Sequence, residues 1–263
     1  MQGLMLPVAV FAALPWECKC VLPALRGVRR GKSGAFKWWE GNAGPFRVRL
    51  VQTGIGIERA TKATNTVLTE FPCTLVVSTG CAGGLTATLE VGALVIASEI
   101  VCGVTGSVFS VAEPVVASFA EATNGSGLKY VIGRQLCVSK PLASVAAKQQ
   151  AAIRFQALAV DMESAAVMRE AARRGIAFAS VRAVLDPALK ELPPTDGLVD
   201  PASGRVRPGS LLRQVIRGGP ARWQELHELY NWVQFAQSTL TRFYGRWFAS
   251  RSTPTWSSSA GQS

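Results

Sequence analysis

The chain has 263 residues, enough for one large domain or a domain with an appendage. With 48% hydrophobic and 17% charged residues it is not a disordered chain, and no run of eighteen uninterrupted apolar residues is present to span a membrane. The net charge of +11 gathers at the C-terminal end, where residues 205–263 carry eight arginines against two acids, together with nine aromatic side chains.

In chain order, Leu4 to Leu14 is apolar but lacks a basic leader and runs into Pro15-Trp16-Glu17, so it does not read as a signal peptide. Val8–Ala13 reads as a buried strand and Phe46–Gln52, which alternates, as a second. A Thr53-Gly54-Ile55-Gly56 turn precedes Ile57–Glu70, which has helical periodicity. Leu75–Thr79 reads as a strand ending in the glycine-rich stretch Gly80–Gly84, and Leu94–Val101 as another strand. A helix over Ala143–Phe155, a strand over Ala157–Val160, a helix over Glu163–Arg173 and a strand over Ala177–Leu185 follow. Leu192–Pro208 is a Pro-, Gly- and Asp-rich loop. Leu211–Arg217 and Ala221–Phe248 read as two helices, and Ser250–Ser263 as a disordered Ser-rich end. This pattern predicts an α/β fold with a mixed central sheet flanked by helices over residues 1–200, then a basic, aromatic helical tail over 201–249.

Six cysteines are scattered over a chain too long to need disulfide staples, and Cys18-Lys19-Cys20 has the wrong spacing for a zinc knuckle. The single histidine, His227, cannot build a histidine-based metal site. We therefore expect no metal, no cofactor, reduced thiols and a cytoplasmic location.

In open α/β folds ligands bind at the carboxyl ends of strands. That rule singles out Thr79–Gly84, Asp161–Glu163 and Asp186. Asp186 ends an apolar strand, where burial would raise its pKa and let it donate a proton. Glu163, at a strand-to-helix junction, could accept hydrogen bonds from two adjacent hydroxyls, and Glu17 could position water or another nucleophile. The same residues also suit a plainer reading: Asp161 and Glu163 as acids at a helix N-terminus, Asp186-Pro187 as a turn. Gly54 and Gly56 before a helix, with Arg59 in its first turn, could hold phosphate. The Gly80–Gly84 stretch lacks the ending of a P-loop.

Val76-Val77-Ser78-Thr79-Gly80-Cys81-Ala82-Gly83-Gly84-Leu85, Ala159-Val160-Asp161-Met162-Glu163-Ser164 and Val181-Arg182-Ala183-Val184-Leu185-Asp186, with the early glycine turn, resemble blocks of the nucleoside phosphorylase and methylthioadenosine/adenosylhomocysteine nucleosidase superfamily, in the same order over residues 6–190. The resemblance implies a phosphorylase-type fold, a homo-oligomer and cleavage of a purine N-glycosidic bond. It implies Asp186 as the general acid at the purine, Arg182 orienting Asp186, and Glu17 activating water. Glu163 would hold the ribose hydroxyls, with Met162 packing beneath the sugar, and Thr79, Cys81, Ala82 and Gly83 would line the site. Three positions depart: a single Glu17 replaces an acidic cluster, no Gly-Asp-x-Phe segment stands near Val138–Leu142, and Ser78 takes the place of the arginine of trimeric and hexameric phosphorylases.

Asp161-Met162-Glu163-Ser164, the Asp186-Pro187 segment followed by Leu192-Pro193-Pro194, and the arginine-rich tail resemble the hopanoid-associated phosphorylases of bacteria. This implies release of adenine from adenosylhopane with phosphate as acceptor. The alternatives are a hydrolytic nucleosidase and a non-catalytic nucleoside-binding protein. Leu226, Leu229, Tyr230, Val233, Leu240, Phe243, Tyr244 and Trp247 form a helical stripe. The stripe suits either packing on the domain or peripheral contact with a bilayer on its inner face. Nothing in it reads as a nucleic-acid-binding motif.

Overall fold

The computed structural model describes residues 5–192, 200–203 and 208–250, with the backbone alone over 208–222. Its centre is β1 (Leu6–Ala12), whose run Val8–Ala12 is buried on both faces, as a continuous apolar strand in a parallel sheet should be. It pairs in parallel with β4 (Phe46–Gln52) on one side and β5 (Leu75–Gly84) on the other.

Beyond β5 the sheet curls into a closed ring. β10 (Ala177–Asp186) runs parallel to β5 and antiparallel to β6 (Leu94–Cys102). β6 pairs with β8 (Tyr130–Cys137), β8 with β9 (Ala159–Asp161), and β9 returns to β5 at Gly83 and Gly84. The glycine-rich stretch therefore lies inside the strand, held by partners on both sides, where the sequence pattern predicts that the strand stops at Thr79. In the other direction β3 (Phe36–Ala43) and β2 (Arg26–Ser33) extend the sheet as an antiparallel meander, and a short β7 (Val108–Ser110) flanks β6.

Helices α1 (Pro15–Val21), α2 (Ile57–Glu70), α3 (Glu113–Thr123), α4 (Val145–Phe155) and α5 (Ser164–Ala172) cover the sheet. The tail is one helix, α6 (Pro208–Ala249), where the sequence predicts two. Gly218-Gly219-Pro220 lies within it. A proline there removes one amide donor, and the last turns of the helix, from Ala236 on, are held by their packing.

That packing answers half of the question posed by the aromatic stripe. Ala236, Leu240, Phe243, Tyr244, Trp247 and Phe248 are buried in the main core. Trp247 stacks on Phe46 of β4 at 5.2 Å and meets Phe119 of α3 edge-on at 4.7 Å. Arg242 and Arg246 donate to the carbonyls of Ser126, and of Ala122 and Asn124, tying α6 to the end of α3. The turns of α6 before Ala236 differ: Trp223, Tyr230 and Phe235 stay about 60% exposed. Among the described residues no helix is long and apolar enough to cross a membrane. The loop and the Ser-rich end predicted over Leu192–Pro208 and Ser250–Ser263 lie largely outside the described residues.

Candidate functional site

At the carboxyl ends of β5 and β10 a fully buried arginine, Arg182, organises the acids. It stands opposite Gly80 in the β5–β10 register. Its Nη1 donates to the Thr79 carbonyl at 3.1 Å and its Nη2 to Ser78 Oγ at 2.7 Å. Its Nε lies 3.6 Å from Asp161 Oδ2, and its Nη1 lies 4.0 Å from Glu163 Oε2. Burial works against the guanidinium charge, but Asp161, Glu163 and Glu17 outweigh it and hold the proton more firmly than usual.

Glu17 is delivered by α1, which follows β1 directly. One oxygen accepts from the amides of Ala13 (3.0 Å) and Leu14 (2.8 Å), the other from the Cys81 amide (2.8 Å). Burial pushes its pKa up against the pull of Arg182 and these three amides. Gly80 sits at φ +143°, and a Cβ there would collide with Glu17 Oε1 and approach Arg182 Nη1, so only glycine lets the two side chains meet over the strand.

Asp161 and Glu163 part company. Asp161 Oδ1 accepts from the amides of Glu163 and Ser164 at 2.8 Å each, so it caps α5 as a helix-start acid. Glu163 turns the other way, and its Oε1 accepts from the Gly56 amide at 2.9 Å. Burial, opposed by Arg182, raises its pKa to about 7. Met162 between them is half-buried.

Asp186 is also buried and sits against Gly83, with burial raising its pKa against the pull of a nearby ammonium. The resemblance assigned its orientation to Arg182, but the partner in the structure is Lys148 of α4, 2.6 Å from Asp186 Oδ2. The reason is a register shift between Val184 and Asp186 in the β5–β10 ladder. The irregularity breaks the two-residue alternation and re-aims Asp186 away from the side on which Arg182 meets Asp161 and Glu163.

The glycine turn before α2 is already engaged. The amides of Gly54, Ile55 and Gly56 donate to Ala13 O, Pro201 O and Glu163 Oε1. Arg59 donates to the carbonyls of Thr53 and Ala202 and lies 5.8 Å from the centre of the Phe36 ring. Among the described residues no group of three His, Cys, Asp or Glu could hold a metal.

Two site features escaped the sequence pattern, Lys148 and Tyr244, whereas Asp161 fills the helix N-terminal place that the sequence offered for it. Tyr244, on α6, reaches the Thr79–Arg182 region fully buried, with its phenol pushed well above the usual range by burial. A lysine on an inward helical stripe with Ala151 and Phe155 was the available signal for Lys148. Tyr244 had none, because its contact is set by where α6 docks.

Comparison with known proteins places these residues in context. Residues 7–199 match the phosphorylase superfamily. The chain is 28% identical over 209 residues to a 5'-methylthioadenosine/S-adenosylhomocysteine nucleosidase of Lysinibacillus sphaericus, covering 70% of this chain and 87% of that protein. A nucleosidase of the same name from Chromohalobacter salexigens is 28% identical over 201 residues, covering 70% and 86%. Among solved structures, the nucleosidase of Neisseria meningitidis in complex with methylthio-immucillin-A superposes with a TM-score of 0.73 at 20% identity, covering 92% of this chain and 97% of that one. The Colwellia psychrerythraea nucleosidase in complex with adenine gives 0.75 at 20% identity, covering 93% and 95%. These likenesses share the mixed sheet with flanking helices described above.

Proposed function

This chain belongs to the phosphorylase superfamily and is an enzyme of the nucleoside phosphorylase and nucleosidase kind, and from that premise we propose that it hydrolyses the N-glycosidic bond of a 5'-modified adenosine, releasing adenine. The observation that carries the reading is the set of three buried acids, Glu17, Glu163 and Asp186, spaced around the Gly80–Gly84 backbone with two buried cations between them.

Breaking this bond leaves an oxocarbenium-like sugar and a purine that must take up a proton. Asp186, whose pKa burial raises, is the donor to the purine. Glu163 is the acceptor for the ribose hydroxyls once it has lost its proton, and its Gly56 hydrogen bond fixes it beside α2. Glu17 serves the water that attacks the sugar, with Cys81, Ala82, Gly83 and Thr79 forming the wall and Met162 packing below. Water is favoured over phosphate by the Gly54, Ile55 and Gly56 amides, which are already engaged, and by the nucleosidase names of the relatives.

A second reading, phosphorolysis of a lipid-linked adenosyl substrate such as adenosylhopane, is favoured by one feature: the exposed Trp223, Tyr230 and Phe235 of α6, which suit a bilayer surface. One assay separates the two. Adenine release is followed with methylthioadenosine and with a membrane-dispersed adenosyl lipid, each with and without phosphate. Turnover of the soluble substrate in the absence of phosphate supports hydrolysis. A strict phosphate requirement with preference for the lipid would overturn it. Asp186→Asn should cost about a hundredfold or more in kcat, and a near-wild-type variant would remove Asp186 from the mechanism.

A further inference from the structure

Lys148 is 0% exposed, and its ammonium has three acceptors for its three N–H bonds. Nζ lies 2.6 Å from Asp186 Oδ2, and it donates to the carbonyls of Pro187 at 3.0 Å and Lys190 at 2.8 Å. A buried ammonium is costly unless it is paired and fully hydrogen-bonded, and this one is both. Lys148 also comes from outside the strand ends that carry the acids. It reaches them from α4, whose first turn is capped by Ser144 Oγ accepting from the Ala147 amide.

We propose that Lys148 is the positioning residue for Asp186, holding one carboxyl oxygen in place and setting how strong an acid Asp186 is. The inference rests on the reading of Asp186 as the proton donor. The geometry carries it in two steps. First, Lys148 grips both the carboxylate and the segment after it, so the turn Pro187–Lys190 and the acid move as one unit. Gly83 backs the carboxyl: a Cβ there would lie 3.2 Å from Asp186 Oδ2 and 3.4 Å from Oδ1. With Oδ2 committed to Lys148, Oδ1 is left to present a proton.

Second, burial and Lys148 pull the acid in opposite directions. Burial alone would make Asp186 a weak acid that keeps its proton to high pH. The ammonium offsets part of that and makes Asp186 a stronger acid than burial alone would leave it. The other titratable group that interacts with the pair among the described residues is the Cys81 thiol of β5. Cys81 is itself pushed up by burial and, among other carboxylates, by Asp186. Arg182 is taken up by Asp161 and Glu163, and Lys190 turns its own ammonium out to Glu228 at 3.1 Å. Lys148 is the cation left to act on Asp186 among the described residues.

The test uses the full-length chain with methylthioadenosine as the probe. Lys148→Met removes the charge and keeps the stem. Lys148→Gln removes the charge and keeps donors for the two carbonyls. The pH dependence of kcat is measured for both, beside thermal melts. Loss of the ammonium raises the pKa of Asp186, so the alkaline limb of kcat should move up by about one pH unit or more. At pH 7 kcat should fall at least tenfold, while KM stays within about threefold. A folded variant with the wild-type limb overturns the proposal. So does failure of both variants to fold, which assigns Lys148 to stability alone. Asp186→Asn separates this failure from failure of the underlying reading. Near-wild-type turnover there sinks the reading, whereas an inactive Asp186→Asn beside unshifted Lys148 variants sinks only the role of Lys148.

Discussion

Removing the indole of Trp247 tests whether the tail is part of the core or an attachment to it. Trp247 is 1% exposed and packs on Phe46, Phe119, Phe243, Tyr244 and Phe248, and its Nε1 donates to Ser118 Oγ at 3.2 Å. Truncating a buried aromatic of this size costs about 3–5 kcal/mol, the cavity included. At roughly 2–4 °C per kcal/mol for a chain of this size, Trp247→Ala should lower Tm by about 6–20 °C. Ending the chain after Pro208 removes Leu240, Phe243, Tyr244 and Phe248 as well, each worth about 2–5 kcal/mol in the same terms. The combined loss reaches the whole stability of an ordinary domain, about 5–15 kcal/mol. The truncated chain should therefore aggregate or melt without cooperativity. The assay is differential scanning calorimetry of full-length, Trp247→Ala and truncated chains. A truncated protein that stays unaggregated and melts within a few degrees of the full chain would refute the reasoning and make α6 an independent appendage.

Four further outcomes are expected. Glu163→Gln should reduce kcat/KM on a ribonucleoside far more than on its 2'-deoxy analogue, and equal losses would assign Glu163 to the fold. Glu163 must be ionised to accept from hydroxyls, so kcat/KM should fall as pH drops through about 7, and this acid limb should vanish in Glu163→Gln. The same shift has a stability sign: folding raises this carboxyl from 4.5 to about 7, so the folded chain binds the proton more tightly and Tm should decline between those pH values, less so in Glu163→Gln. Gly80→Ala places a methyl against Glu17 and Arg182 at φ +143°, and should cost at least tenfold in kcat with a measurable drop in Tm.

The parts of the fold that read cleanly from the sequence are those with one dominant signal. The helix Ile57–Glu70 follows a glycine turn and keeps its apolar residues on one face, and its ends match the prediction. The hairpin of β2 and β3 left no such trace. β2 is almost wholly exposed and carries Arg26, Arg29, Arg30 and Lys32, as suits an edge strand that must not pair further. Its neighbour holds a buried Glu40 shared by Arg29, Arg47 and Arg49, a partnership that only the strand register creates. Helix α1 was missed because seven residues beginning at Pro15 are too few to show a period, yet it is the element that carries Glu17.

The site shows the same division, and it turns on charge. The acids were legible because motifs at strand ends announce them. Their cations were not, because a cation's partner depends on the local backbone path. Arg182 and Asp186 lie four residues apart on one strand, and regular alternation would put both on one face. The register shift before Asp186 separates them, sending Arg182 to Asp161 and Glu163 and leaving Asp186 to Lys148 from a different helix. The two acids thereby sit beside different cations. That is how one pocket can keep a carboxyl that gives up a proton near another that must already have lost its own. Had the strand stayed regular, Arg182 would face Asp186 as well, and three carboxylates would share one guanidinium with none set apart. The irregularity at Leu185 is thus the structural step that divides the labour, and restoring alternation there should disturb both acids at once.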